Sequence, residues 1–141
     1  MLDPTLAHVR AMWDDDGASR HLGIELVDVR HENGLGRART RMAVTETMVN
    51  GHDIMHGGLI FTLADSTFAL ACNAGGQTTV AAGCDIDFVA PAHRGDVLLG
   101  HAVERARYGR NGITDVTITR EADGALVAEL RGRSRAIRPR G

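Results

Sequence analysis

The stretch Asn50–Cys72 reads NGHDIMHGGLIFTLADSTFALAC, and the fold turns on it. From Gly57 onward a run of about sixteen residues has no proline and carries Leu59, Ile60, Phe61, Leu63, Phe68 and Leu70 among several alanines. Apolar residues fall on nearly every side of a 3.6-residue period, and a helix of that kind is buried. The remaining chain is therefore expected to wrap it.

Inside this helix stands Asp65, the only Asp, Glu, Lys or Arg between Ile54 and Cys84. An unpaired carboxylate in apolar surroundings costs several kcal/mol or takes up a proton. Asp65 is either a local cap for a backbone N–H or a functional group, and its isolation favours the second. At the start of the same helix, Gly57 and Gly58 leave first-turn N–H groups unshielded by side chains, and those donors lack intrahelical partners. A carbonyl oxygen gaining negative charge is stabilised there by the donors and by the helix dipole. Eight residues separate Gly57 from Asp65, about 12 Å along a helix axis, too far for both to touch one carbonyl. Two copies of the helix, antiparallel about a twofold axis, would bring Asp65 of one chain to Gly57 of the other. A homo-oligomer, at least a dimer, is expected, with its sites in the interface.

The order Asn50, His56-Gly57-Gly58, Asp65 within LADS, and then the strand CDIDFVAP resembles the PaaI-type acyl-CoA thioesterases of the hotdog-fold superfamily. The likeness covers almost the whole chain, and Asn-x5-His-Gly-Gly-x6-Asp is a fairly specific motif. Members of that family hydrolyse phenylacetyl-CoA and its ring-hydroxylated derivatives. The resemblance implies that Asp65 activates water or attacks the thioester itself, the two remaining open. It further implies that the Gly57 N–H polarises the carbonyl with His56 close by, that Asn50 holds the water or the carboxylate, and that two such dimers form a tetramer. Many relatives place a Ser or Thr early in the strand after the helix, where this chain has Ala81, Ala82 and Gly83. Thr67, Thr78 or Thr79 are the possible substitutes.

Length and composition agree with this. The chain of 141 residues suits one domain, 1–141, and its 43% hydrophobic and 24% charged residues with a net charge of -2 give no basic surplus for nucleic acid. All sixteen basic residues are Arg. Cys72 and Cys84 lie in apolar contexts and are read as reduced thiols of a cytoplasmic protein. No leader and no membrane-spanning run are read from the sequence, and no membrane partner is expected.

Toward the start, Asp3 and Pro4 are expected to open a short helix carrying Leu6, Val9, Met12 and Trp13, which stops at Asp14–Asp16 because acids oppose the dipole there. Strands are expected at 21–29 and 36–44 around an Asn33-Gly34 hairpin, with Arg37, Arg39 and Arg41 forming a solvated edge. A loop over 45–55 reads as the active-site crossing. His52 and His56 lack a third ligand at useful spacing, so no metal is expected, and thioester hydrolysis calls for no cofactor. Four further strands are expected at 78–90, 96–108, 113–121 and 126–137, mostly antiparallel. The class is thus α+β, a long central helix wrapped by an antiparallel sheet of about six strands. Arg94 and Arg110, beside turns, are candidates for the phosphates of coenzyme A, with Gly58 and Phe68 as further substrate contacts and Phe61, Met48 and Met55 as possible acyl-pocket lining. Arg131, Arg133, Arg135, Arg138 and Arg140 read as an exposed strand face running into the terminus. The alternatives are a hotdog hydratase or dehydratase and a non-catalytic acyl-CoA-binding protein. No Gly-x-Ser-x-Gly elbow, Walker A loop or Rossmann glycine run occurs.

Overall fold

The computed structural model describes residues 6–137. The elements run α1 (Ala7–Asp14), α2 (Gly17–His21), β1 (Glu25–Glu32), β2 (Leu35–Ala43), α3 (Gly57–Cys72), β3 (Thr79–Phe88), β4 (Val97–Tyr108), β5 (Asn111–Arg120) and β6 (Leu126–Ala136). The six strands form one sheet in the order β1-β2-β4-β5-β6-β3, every neighbouring pair antiparallel. This is the α+β hotdog arrangement, with α3 as the filling.

The helix forms where the sequence places it, and both ends are tied. His56 is its N-cap, in extended conformation, and the His56 Nδ1 accepts the Gly58 N–H at 3.4 Å. At the other end the buried Asn73 donates through Nδ2 to the carbonyls of Ala69 (2.8 Å) and Thr79 (3.0 Å) and accepts the Thr79 N–H at 2.9 Å. The C-terminus of α3 is thereby fastened to the start of β3, and α3 runs back antiparallel to that strand.

Nine of the sixteen α3 residues are buried, among them Ile60, Leu63, Phe68 and Leu70. At roughly 1.5–3 kcal/mol for each large apolar side chain, this face is the main source of cohesion. The sheet meets it with Ala38 and Met42 of β2, Leu98 and Ala102 of β4, Val116 and Ile118 of β5, and Ala128 and Leu130 of β6. Glycine lets helix and sheet approach closely: a Cβ on Gly36 would lie 1.8 Å from the Ala71 carbonyl oxygen.

Two expectations change. Arg37, Arg39 and Arg41 are not on an edge, because β1 and β4 flank β2 on both sides. They occupy the face of the sheet turned away from α3. The acids Asp14–Asp16 end α1 as expected, but Asp16 also begins the short helix α2, so β1 starts only at Glu25. There the carboxylate sits at the positive end of a dipole instead of opposing one. Asp3, Pro4, Arg138 and Arg140 lie outside the described residues. Asn33 (φ 55°) and Gly34 (φ 79°) make the expected hairpin turn between β1 and β2.

Candidate active site

Asn50 and Gly57 come together at one end of the molecule, around the N-terminus of α3. The loop before the helix folds back on itself: Val49 bridges Met55, and the Asn50 Oδ1 accepts the N–H groups of His52 (2.9 Å) and Ile54 (3.4 Å). Asp53, at the loop tip, has φ 59°. These bonds orient the Asn50 side chain, so its amide nitrogen is the group left to meet a ligand. Asn50 and Gly57 line one cleft of about 420 Å³, whose other walls include Met55, Ile60, Phe88, Val89 and Pro91.

The two glycines differ in what they offer. The Gly58 N–H is engaged by His56, which also leaves the proton of a neutral His56 ring on Nε2. The Gly57 N–H, by contrast, makes no hydrogen bond among the described residues and belongs to a residue that lines the cleft. The Phe88 ring covers this turn, and a Cβ on Gly57 would be 3.2 Å from its Cζ. Phe88 (53% exposed) and Val89 (56% exposed) are apolar side chains left open to solvent beside the cleft.

Asp65 lies in the middle of α3, half-buried, without a hydrogen-bond or ion-pair partner among the described residues. Burial, and secondly the negative charge of Asp16, hold its carboxyl above the ordinary aspartate value. Its own charge acts in turn on the Cys84 thiol of β3, which is likewise pushed up, chiefly by burial. The acid therefore faces the shelf formed by α3 and the inner side of β3, about 12 Å along the helix from Gly57 and outside the cleft.

Other candidates fall elsewhere. Phe68 is core: it is 1% exposed and packs on Gly132, where a Cβ would meet its ring at 2.6 Å. Met48 is buried too, whereas Met55 does line the cleft and Phe61 is partly buried against the core. Arg94 is exposed near the Asn50 loop, with its guanidinium 3.6 Å from the Asp53 carboxylate. Arg110 occupies the β4–β5 turn at the Thr79 end of the sheet, opposite the Phe88 end that borders the cleft. Of the hydroxyls proposed to replace the absent Ser or Thr, Thr67 is committed inside the core, bonded to Thr40 (2.7 Å) and to the Leu63 carbonyl (2.7 Å), and Thr79 donates to Gln77 at 2.9 Å. Thr78 is exposed at the far end from Gly57. Sequence reasoning passed over Phe88, Val89 and Pro91 as lining, although the alternating strand and the Pro after it marked where β3 leaves the sheet.

Comparison with known proteins identifies the family. The family profile described as the thioesterase superfamily matches residues 52–127. Acyl-coenzyme A thioesterase PaaI of Escherichia coli K12 is 38% identical over 130 residues, 92% of this chain and 89% of that protein. The chain belongs to the thioesterase superfamily.

Human acyl-coenzyme A thioesterase 13 is a more distant relative of this thioesterase, 33% identical over 100 residues, covering 68% of this chain and 70% of its own length. Among solved structures, the E. coli PaaI protein from the phenylacetic acid degradation operon superposes with a TM-score of 0.87 at 36% identity, over 94% of this chain and 96% of that one. The thioesterase chain is thus a thioester hydrolase of the hotdog fold, with a motif on α3 in which the Gly57 N–H and the Asp65 carboxylate have no partner among the described residues.

Proposed function

We propose that this thioesterase hydrolyses aryl-acetyl-CoA thioesters, phenylacetyl-CoA and its hydroxylated forms first among them, to the free acid and coenzyme A. The observation that carries the reading is the pairing on one helix of a Gly57 N–H at an apolar cleft and an Asp65 carboxylate, neither with a partner among the described residues. The cleft walls of Ile54, Met55, Ile60, Phe88 and Pro91 suit an apolar acyl group. Phenylacetic acid degradation is the setting of the E. coli relative.

The separation of about 12 Å along the helix between donor and acid calls for a second chain. β3 is an edge strand whose outer backbone has no neighbouring strand among the described residues, and Val80, Phe88 and Val89 on or beside it are roughly half exposed. Pairing β3 antiparallel with its copy continues the sheet and sets the two α3 helices antiparallel. With the twofold axis level with Phe61 on the helix and Ile86 on the strand, Gly57 comes opposite the partner's Asp65. Arg94 and, from the far end of the partner sheet, the partner's Arg110 lie outward along the strands, where a nucleotide would extend.

In such a site the thioester carbonyl oxygen accepts the Gly57 N–H, and the helix dipole favours the charge that grows on it. The partner's Asp65 takes the proton of a water held by Asn50 as that water attacks the carbonyl carbon. Alternatively, it attacks the carbon itself and water cleaves the anhydride. Either route expels coenzyme A as thiolate, which leaves as thiol after protonation. Cys72 and Cys84 are free thiols, in keeping with a cytoplasmic enzyme. A tetramer of two dimers is proposed on family likeness alone, and sedimentation velocity measures it.

The test is release of coenzyme A thiol from phenylacetyl-, hydroxyphenylacetyl-, benzoyl- and straight-chain acyl-CoAs. Fastest release from the aryl-acetyl members is expected. Tight binding of the panel without release would make the protein an acyl-CoA binder instead.

A further inference from the structure

Helix α2 meets α3 beside Asp65, at a point that the thioester chemistry above leaves unused. Asp16 is the N-cap of α2: its Oδ1 accepts the Ser19 N–H at 3.0 Å and its Oδ2 accepts the Ser19 hydroxyl at 2.6 Å. Ser19, 1% exposed, lies 2.8 Å from the hydroxyl of Ser66, 8% exposed. Because the Ser19 proton is directed to Asp16, the Ser66 O–H must donate to Ser19, and both buried hydroxyls are satisfied. Ser66 is the residue after Asp65. The chain Asp16–Ser19–Ser66 is the side-chain tie between α2 and the middle of α3, and it ends one residue from the catalytic candidate.

Asp16 itself joins no ion pair among the described residues, so its charge is not neutralised locally. Three groups share the neighbourhood of Asp65: Asp16 from α2, Cys84 from β3 and Cys72 from α3 itself. Of these, only Asp16 is charged at neutral pH, and its sign is that of Asp65. On the reading of Asp65 as the base or nucleophile, we propose that Asp16 with Ser19 and Ser66 positions Asp65 for the reaction. The α2 cap anchors the helix turn that carries the acid and sets a second negative charge beside it. The like charge makes Asp65 a stronger base, with proton affinity nearer to working pH than an isolated aspartate would have.

Two variants separate charge from anchor. Asp16→Asn removes the charge and keeps a good N-cap, since the new amide carbonyl still accepts the Ser19 N–H. Its amide nitrogen takes the place of Oδ2 and donates to the Ser19 hydroxyl, which then donates to Ser66, so the tie persists with its direction reversed. Ser19→Ala keeps the charge and cuts the hydroxyl tie. The measurement is kcat and kcat/KM on one thioester from pH 4 to 8, with the melting curve of each variant. Asp16→Asn is expected to move the acid limb of kcat/KM to lower pH, since Asp65 stays ionised further into acid. Ser19→Ala is expected to leave that limb in place and to lower kcat on the plateau. A limb that stays put or moves up in a folded Asp16→Asn enzyme overturns the charge effect, and an unchanged kcat in Ser19→Ala overturns the anchor. Asp65→Asn, run alongside, reports separately on the role of Asp65: full turnover there would sink that role whatever Asp16 does.

Discussion

At the scale of the residue, Asp65 is a group held where folding alone would not hold it. Burial first, and the Asp16 charge second, raise its carboxyl above the ordinary value, so the folded chain binds that proton more tightly than the unfolded one. The stability associated with the protonated form is fully present below the unfolded value and is lost as pH rises through the raised folded value. Asp65→Asn is therefore expected to lower turnover by about a hundredfold or more while raising the melting temperature at pH 7. The thermal gain should vanish below the ordinary carboxylate range. A variant that loses turnover yet melts no higher than the parent at pH 7 would mean that Asp65 finds a stabilising partner in the assembled protein. Asp65 as a half-buried acid without a local partner was legible in the sequence, because a lone charge in an apolar run is conspicuous. Phe68 was misplaced for the opposite reason: a phenylalanine beside a site and one beneath the sheet look alike until the helix is rotated onto its partners.

Among the elements, α3 and the six strands were readable to within a few residues, since periodicity and the Asn33-Gly34, Gly109 and Gly124 turns punctuate the chain. What could not be read was the strand order. Nothing in the local pattern says that β3, next after the helix, pairs with β6 at one side of the sheet, because that pairing depends on contacts forty or more residues apart in the chain. The five-residue helix α2 was missed because three consecutive acids look like a stop signal, and only the last of them is a start. How closely α3 lies on the sheet is testable through β2: Gly36→Ala places a methyl 1.8 Å from the Ala71 carbonyl oxygen, a backbone atom that cannot rotate aside. Displacement of the C-terminal turn of α3 is expected, with a loss of about 1–3 kcal/mol or more in chemical denaturation. A loss below about 0.5 kcal/mol would show that helix and sheet stand further apart.

For the whole molecule, the proposed two-chain site makes the interval between Gly57 and Asp65 the link between catalysis and assembly. Proline is favoured at the first position of a helix, and His56 (φ -61°, ψ 129°) already has the extended conformation that a residue before proline takes. Gly57→Pro therefore deletes the N–H donor while leaving α3 its start, and Gly57→Ala, which keeps the donor and asks the Phe88 ring to give a few tenths of an ångström, is its control. Chains carrying Asp65→Asn and chains carrying Gly57→Pro, each nearly inert alone, should regain about a quarter of normal activity when equal amounts exchange subunits, because half the dimers then hold one intact site. No recovery after proven exchange would place the whole site in a single chain. On the same proposal, the interval makes the enzyme open to poisoning. A chain bearing both substitutions spoils both sites of any dimer that it enters, so activity should fall as the square of the wild-type fraction. In a cell, the doubly altered allele would behave as a dominant inhibitor, not as a silent null.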